Sequence, residues 1–402
     1  MKIDAMTFLK AFLTVIVVVV ICGLFYLLGL NTDVFSPFQQ ALDSYNITDL
    51  YMSFHKKQQV PSYDGASVVL MDISSCETRE EIAEVIEKVN AAKPRMVAMD
   101  IIFPHAVSSD PVQDSMLTAA LSNVENLVVA TEMRPTSGTS YTQISSFFID
   151  QTNAVEGLVS LPTGVIREWS PQMTIEGQQY PSLTKAIAEE LEVPVPQTEE
   201  MQLINYAIYD PLVIGAQDSW DPGFLESQIV LMGDVYDARD TYQVPVSFRS
   251  SARQSGVYIH KQILMTCLAQ NYFKHVPSWL EYLISVLILF VFSLVLSPLM
   301  ERAKTMEDEI DDKFKRVPEQ YTLKDCIKGY WFKHIAGTIQ IGLIVVSLII
   351  GYLLFWCGGY IYDLTFLLAG FVLLYASHQF VVALLKFISR ITVIIRNRVE
   401  RK

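Results

Sequence analysis

The sequence predicts a membrane-anchored α/β protein, a mixed or parallel sheet domain held by four transmembrane helices. Three observations predict it. Of 402 residues, 51% are hydrophobic and 18% charged, with a mean hydropathy of +0.30, whereas soluble domains carry about 25% charged residues. Four long runs are almost free of charge. Between the first and second of these, residues 31–277 alternate short β-branched runs with helical ones. This arithmetic excludes a wholly soluble protein, a disordered chain and a disulfide-dense miniature.

The four runs are residues 11–30, 279–300, 335–357 and 360–387. Each meets the requirement of about 18 or more apolar residues for a spanning helix. The first follows Lys2 and Lys10, as a signal peptide would. It is longer than the 7–15 apolar residues of a signal h-region and ends without a small-residue cleavage pattern, so it reads as an uncleaved anchor. The chain therefore divides into a stub and first span (1–30), a large domain (31–277), a second span (278–300), a loop (301–334), a helical hairpin (335–387) and a basic amphipathic tail (388–402).

Charge sets the expected orientation. Residues 31–277 hold 31 acids and 14 bases, while the remainder holds 12 acids and 16 bases. Lys and Arg near helix ends favour the cytoplasmic side. The N-terminal stub, the 301–334 loop and the tail are therefore expected inside. The 31–277 domain is expected outside a bacterial inner (cytoplasmic) membrane, on the periplasmic side.

Within that domain the elements follow in order. Residues 67–73 (SVVLMDI) form a buried strand. Residues 77–92 carry Ile82, Ala83, Val85, Ile86 and Val89 at helical spacing, and residues 96–103 (MVAMDIIF) make a second strand. A helix near 113–121 precedes a third strand at 126–133. This order reads as parallel βαβ units. Residues 154–161 and 164–169 flank Leu161-Pro162-Thr163-Gly164 as a hairpin. A helix at 182–191, a strand at 203–208, a last buried strand at 229–235 and a helix at 257–271 complete the pattern. Cys76 and Cys267 share the domain, where an oxidising space permits a disulfide; two buried thiols are the other reading.

These residues carry a resemblance. Val68 to Ser75, the helix after it, and Pro94-Arg95-Met96-Val97-Ala98-Met99-Asp100-Ile101-Ile102-Phe103 match in order. So do Gly157-Leu158-Val159, Gly164-Val165-Ile166-Arg167, Pro181-Ser182-Leu183, Leu203-Ile204-Asn205-Tyr206, residues 224–240 with Pro245-Val246, and Gly256-Val257-Tyr258-Ile259-His260. Together they resemble a CHASE2 domain, the extracytoplasmic sensory module of bacterial adenylate cyclases, histidine kinases and diguanylate cyclases. The resemblance implies one helix before the domain and three after it. Two departures stand out. The family's W-P-W-x-R opening is missing after the first strand, and the chain ends 15 residues after the last span, where a cyclase or kinase output domain is expected.

No catalytic or metal motif occurs, so no enzyme activity, cofactor or metal is expected. His55, His105, His260, His275, His334 and His378 are scattered. One constellation rises above background: Asp72, Asp100, Glu132 and Asp234 lie at or near the ends of the expected parallel strands. Ligands of open α/β sheets bind outside the carboxyl ends of the strands. If the strands are neighbours, these acids converge to hold a cation or cationic ligand. Alternatively, Asp72 caps the following helix and Asp100 bonds backbone amides. In the fourth span His378, with Ser377 and Gly370, is expected to make a helix–helix contact within the bundle or with a partner. A proton relay would need a second ionisable group, and only Asp363 offers itself.

Residues 307–316 read as a charged helix. Residues 388–401 read either as a basic amphipathic helix on an anionic membrane surface or as a continuation of the fourth span. The functional expectation is a sensory or scaffold subunit. It is partnered by the lipid bilayer and by a membrane or cytoplasmic protein or a second copy, and not by nucleic acid. The alternative is an enzyme or transporter using the acidic crevice.

Overall fold

The computed structural model describes residues 4–31, 48–49, 52, 60–106, 110–136, 140–208, 210, 212–245, 253–270, 272–316 and 322–399. Lys2, His55, Val246, Arg401 and Lys402, which enter the sequence reading, lie outside them. The chain forms two compact units, residues 1–40 with 275–402 and residues 41–274.

The first unit opens with helix α1 (Ala5–Asn31). The second is an α/β domain. Strand β1 (Val68–Asp72) leads to helix α2 (Arg79–Ala91), whose start is fixed by a capping box between Thr78 and Glu81. Strand β2 (Met96–Met99), helix α3 (Pro111–Ser122) and strand β3 (Leu127–Pro135) follow. Next come β4 (Tyr141–Ile144), β5 (Val155–Leu158), β6 (Glu168–Trp169), β7 (Gln172–Ile175) and β8 (Gln178–Pro181). Helix α4 (Leu183–Glu190), capped by Ser182, precedes β9 (Gln202–Leu203), β10 (Val213–Gly215) and β11 (Ile229–Gly233). Strands β12 (Thr241–Gln243) and β13 (Arg253–Ser255) pair before helix α5 (Gly256–Leu268).

The main sheet runs β10-β1-β11-β2-β3, with β5 parallel to the first half of β3 and β4 antiparallel to its second half. Strand β11 is last in sequence yet inserts between β1 and β2, with Asp72 opposite Gly233 and Met99 opposite Met232. Alternation sorts the side chains into two cores. Val69, Met71, Val97, Met99, Val129 and Met232 meet α2 and α3. Val68, Leu70, Ala98, Val128 and Leu231 meet α4 and α5. The result is a three-layer sandwich with helices on both faces, as a parallel sheet requires.

Three local expectations are corrected. The 154–169 hairpin does not form: β5 joins β3, and β6 pairs with β9 instead. The link from Leu158 to Glu168 is too long for the tight turn that would hold hairpin register. The strand expected at 203–208 stops at Leu203, because Asn205 Oδ1 accepts the Ala207 N–H at 3.1 Å and turns the chain. Strand β2 stops at Met99, and beyond it Phe103 N–H bonds the Ser146 hydroxyl at 3.0 Å instead of a strand. The cysteines are free thiols: Cys76 packs on the α2–α3 core, and Cys267 lies in a separate cluster with Trp169 and Ile263.

Gly157 admits α4 to the sheet. A Cβ there would lie 2.5 Å from Leu183 Cα and 2.9 Å from Leu183 N. Backbone cannot swing aside as a side chain can. Gly157→Ala therefore lowers domain stability by about 1–3 kcal/mol in thermal unfolding, the range for overpacking a filled core. Unchanged stability would place α4 farther from β5.

The remaining helices are α6 (Ser278–Arg316), α7 (Leu323–Gly358) and α8 (Thr365–Val399). With α1, each is long and apolar enough to cross a membrane. Residues 307–316 continue α6 without a break, and residues 388–399 continue α8, the second of the two readings of the tail. The fourth helix begins at Thr365, later than expected. Gly359, at φ +66°, ends α7, and Asp363 Oδ1 accepts the Thr365 N–H at 2.8 Å. Helices α6 and α8 run in the same direction, since Ser285, Leu289 and Ser297 meet Tyr362, Gly370 and His378 in turn. Alternate spans of a bundle must do so.

Candidate functional site

The sheet brings three of the four expected strand-end acids to one face. Asp72 follows Leu70 by two residues, Asp100 follows Ala98 by two and Glu132 follows Val128 by four, so all three share the α4–α5 face. Asp234 follows Met232 by two and belongs to the opposite face. Its Oδ1 accepts the Tyr236 N–H at 2.8 Å in a local turn.

The three acids differ in what holds them. Asp72 is buried, and its oxygens accept the Ser74 N–H at 3.1 Å, the Ser74 hydroxyl at 2.8 Å and the Val235 N–H at 3.1 Å. It ties the ends of β1 and β11 together. The cap of α2 is Thr78, not Asp72. Glu132 accepts from Arg134 Nε at 2.9 Å in a partly exposed pair. Asp100 has no hydrogen bond to its carboxyl among the described residues, only its N–H to the Met232 carbonyl at 2.9 Å. The residue is partly buried as a whole, yet its carboxyl is packed among protein atoms. Burial, with the Asp240 carboxylate adding to it, pushes it up to about 8.

Three groups that sequence reasoning did not single out complete the site. Asp240 Oδ2 accepts the N–H of Gly256, the first residue of α5, at 3.1 Å. A Cβ on Gly256 would stand 2.4 Å from that oxygen, so only glycine lets the carboxylate reach the helix end. The Tyr242 phenol is pushed up to about 12 by burial and then by Asp240, to which it hydrogen-bonds. His260 lies on α5 one turn beyond Gly256 and is 3% exposed. Burial holds it down to about 4, against the opposing pull of Asp240 and a hydrogen bond with the Val159 backbone. Its Nδ1 is buried and has no hydrogen-bond partner among the described residues. The only signal for these groups was the Asp240 to His260 stretch of the resemblance, which gave no roles.

The crevice thus gathers the Asp240 side chain and a phenol with a carboxyl and an imidazole that burial pushes towards their neutral forms. This is a hydrogen-bonding site rather than a cage of carboxylates. Among the described residues no group of three His, Cys, Asp or Glu side chains is placed to hold a metal ion. A separate cleft of about 160 Å³, lined by Met133, Tyr141, Gln143, Ile175, Glu176, Gln178 and Tyr180, contains none of the strand-end acids.

Helix α5 is itself anchored by polar groups. Lys261 is fully buried. Its Nζ meets Asp210 Oδ2 at 2.9 Å and the Leu212 carbonyl at 2.8 Å. Gln262 donates to the Asn205 and Ile208 carbonyls at 2.6 and 2.9 Å. In the helical unit His378 Nδ1 meets the Ser297 hydroxyl at 2.8 Å, and Gly370 lies against Leu289. The Ser377 hydroxyl is buried without a hydrogen-bond partner among the described residues.

A family model described as the CHASE2 domain matches residues 15–296. No curated protein matches the chain, and no solved structure does. The match spans well over half the chain, from within α1 into α6, and takes in the whole α/β domain. The chain belongs to the CHASE2 domain family and is a membrane protein of signal transduction, with a sensory domain and four candidate membrane-spanning helices.

Proposed function

We propose that the protein is a sensory or scaffold subunit of a bacterial inner membrane. Its CHASE2 domain stands on the extracytoplasmic side and binds a ligand or an envelope partner. Its helices hand that state to a separate membrane or cytoplasmic protein or to a second copy. The observation that carries this reading is the family match over a domain set between two candidate spans. The acidic balance of residues 31–277 and the basic balance elsewhere support the orientation. The ligand site is the crevice around Asp100, Asp240, Tyr242 and His260, with Asp72 and Glu132 as its structural surround, while Asp234 lies on the other face of the sheet. The exposed basic residues of α6 and α7, among them Lys315 and Lys324, offer an inner surface to a partner.

Purification of the full chain in mild detergent tests the subunit reading. A second protein in stoichiometric amount is expected, and its recovery should fall when residues 307–316 become a Gly/Ser linker. A lone chain that turns over a substrate would instead favour an enzyme or transporter.

A further inference from the structure

The helical unit contains a charged cluster of which the sequence showed only His378. Lys10 on α1 donates to Glu301 Oε1 on α6 at 2.6 Å. The same oxygen lies 4.0 Å from His378 Nε2 on α8. That is too long for a hydrogen bond but within reach of an ion pair if the ring is charged. Ser297 on α6 meets Nδ1 at 2.8 Å and Nε2 at 3.4 Å, so the imidazole is held against α6 with Nε2 also within ion-pair reach of Glu301. One carboxylate oxygen on α6 therefore faces two cations-to-be on two different helices.

We propose that Glu301 is an exchangeable partner, shared between Lys10 and His378, and that it makes a latch through which charging of His378 loosens the hold of the bundle on α1. With the ring neutral, Glu301 belongs to Lys10, and α1 is pinned to α6. With the ring charged, His378 competes for the same oxygen, and a shift of about an ångström closes the remaining gap. The other groups around the ring do not duplicate this role. From α6, Lys304 reaches Gln379 on α8 at 3.4 Å, and from α7, Gln340 donates to the Phe371 carbonyl at 3.0 Å. Ser377, the neighbour of His378, is buried and uncharged. The position matters because α1 leads into the sensory domain and α6 leads out of it. A latch between them governs whether the two connections move together. This inference goes beyond the sensory reading and stands or falls separately from it.

The test uses the full chain in detergent with Ala11→Cys on the buried face of α1, where Ala11 is fully covered. Maleimide labelling of that cysteine is measured relative to the native exposed Cys326, which cancels the common pH dependence of thiol reactivity. As the pH is lowered from about 8 to about 4, through and below the range in which a free imidazole gains its charge, the ratio should rise severalfold. His378→Gln should hold it low and flat. Glu301→Gln, with no carboxylate to exchange, should give a ratio that is high and flat, and it serves as the second variant if His378→Gln does not fold. A flat ratio in the parent, or the same rise in either variant, overturns the latch.

Discussion

Asp100→Asn raises the stability of the CHASE2 domain at pH 7 by roughly 1–3 kcal/mol, a reduced share of what its displacement from the ordinary carboxylate range implies, because the residue is only partly buried. The sign follows from linkage. The folded domain holds the Asp100 proton up to about 8, while the unfolded chain releases it near 3.9. Between these values the native state binds more protons, so stability falls as pH rises through the window and levels off above it. Asparagine keeps the shape and removes the titration. The variant and parent should therefore coincide near pH 4 and diverge towards pH 8 in thermal unfolding profiles. A variant less stable than the parent at pH 7 would show that Asp100 accepts a bond that holds the fold. The gain would also have a functional meaning, since a group kept against stability beside Asp240 and the open His260 Nδ1 belongs to a site rather than to a core.

Asp210→Ala has the opposite effect and a larger one. Among the described residues it leaves the fully buried Lys261 ammonium with the backbone carbonyls of Leu212 and of position 210, at 2.8 and 3.3 Å. Removing one partner of a buried pair costs about 3–5 kcal/mol. Burial already holds the Lys261 amine below its ordinary range, and Asp210 opposes that shift. Without Asp210 the amine falls further. The unfolded chain then binds the proton that the folded chain lacks, and stability recovers as pH rises. Combining Asp210→Ala with Lys261→Met should cost less than the single losses add to, because the stranded charge is gone. A loss under about 1 kcal/mol in the single variant would mean that water reaches Lys261.

Short unbroken apolar runs made the buried sheet strands legible, and long uncharged ones the four long helices. Leu70, Ala98, Val128 and Leu231 sit in short runs that are apolar on both faces, as buried parallel strands are. The spatial order was not legible, because β11 enters between β1 and β2 from far along the chain, and nothing local marks that insertion. The site was legible by half. Asp100 stood out as an acid at the end of an apolar strand, and so did Asp72, whose carboxylate ties β1 to β11, and Asp234, whose carboxylate closes its own turn. Asp240, Tyr242 and His260 were hidden, because their meeting depends on a glycine at the start of α5 and on how the β12–β13 pair folds against that helix. Glu301 and Lys10 were hidden for a similar reason: each reads as an ordinary charge at the end of an apolar run, and only packing shows that they meet.

The sensory account rests most heavily on where the domain stands. In intact spheroplasts, an impermeant maleimide should modify a cysteine introduced by Tyr236→Cys, at a residue 76% exposed on the domain. It should leave native Cys326 and a cysteine from Asp311→Cys untouched until the membrane is permeabilised. Labelling of Cys326 and the Asp311→Cys site in intact cells, with Tyr236→Cys protected, would put the CHASE2 domain inside and contradict the account.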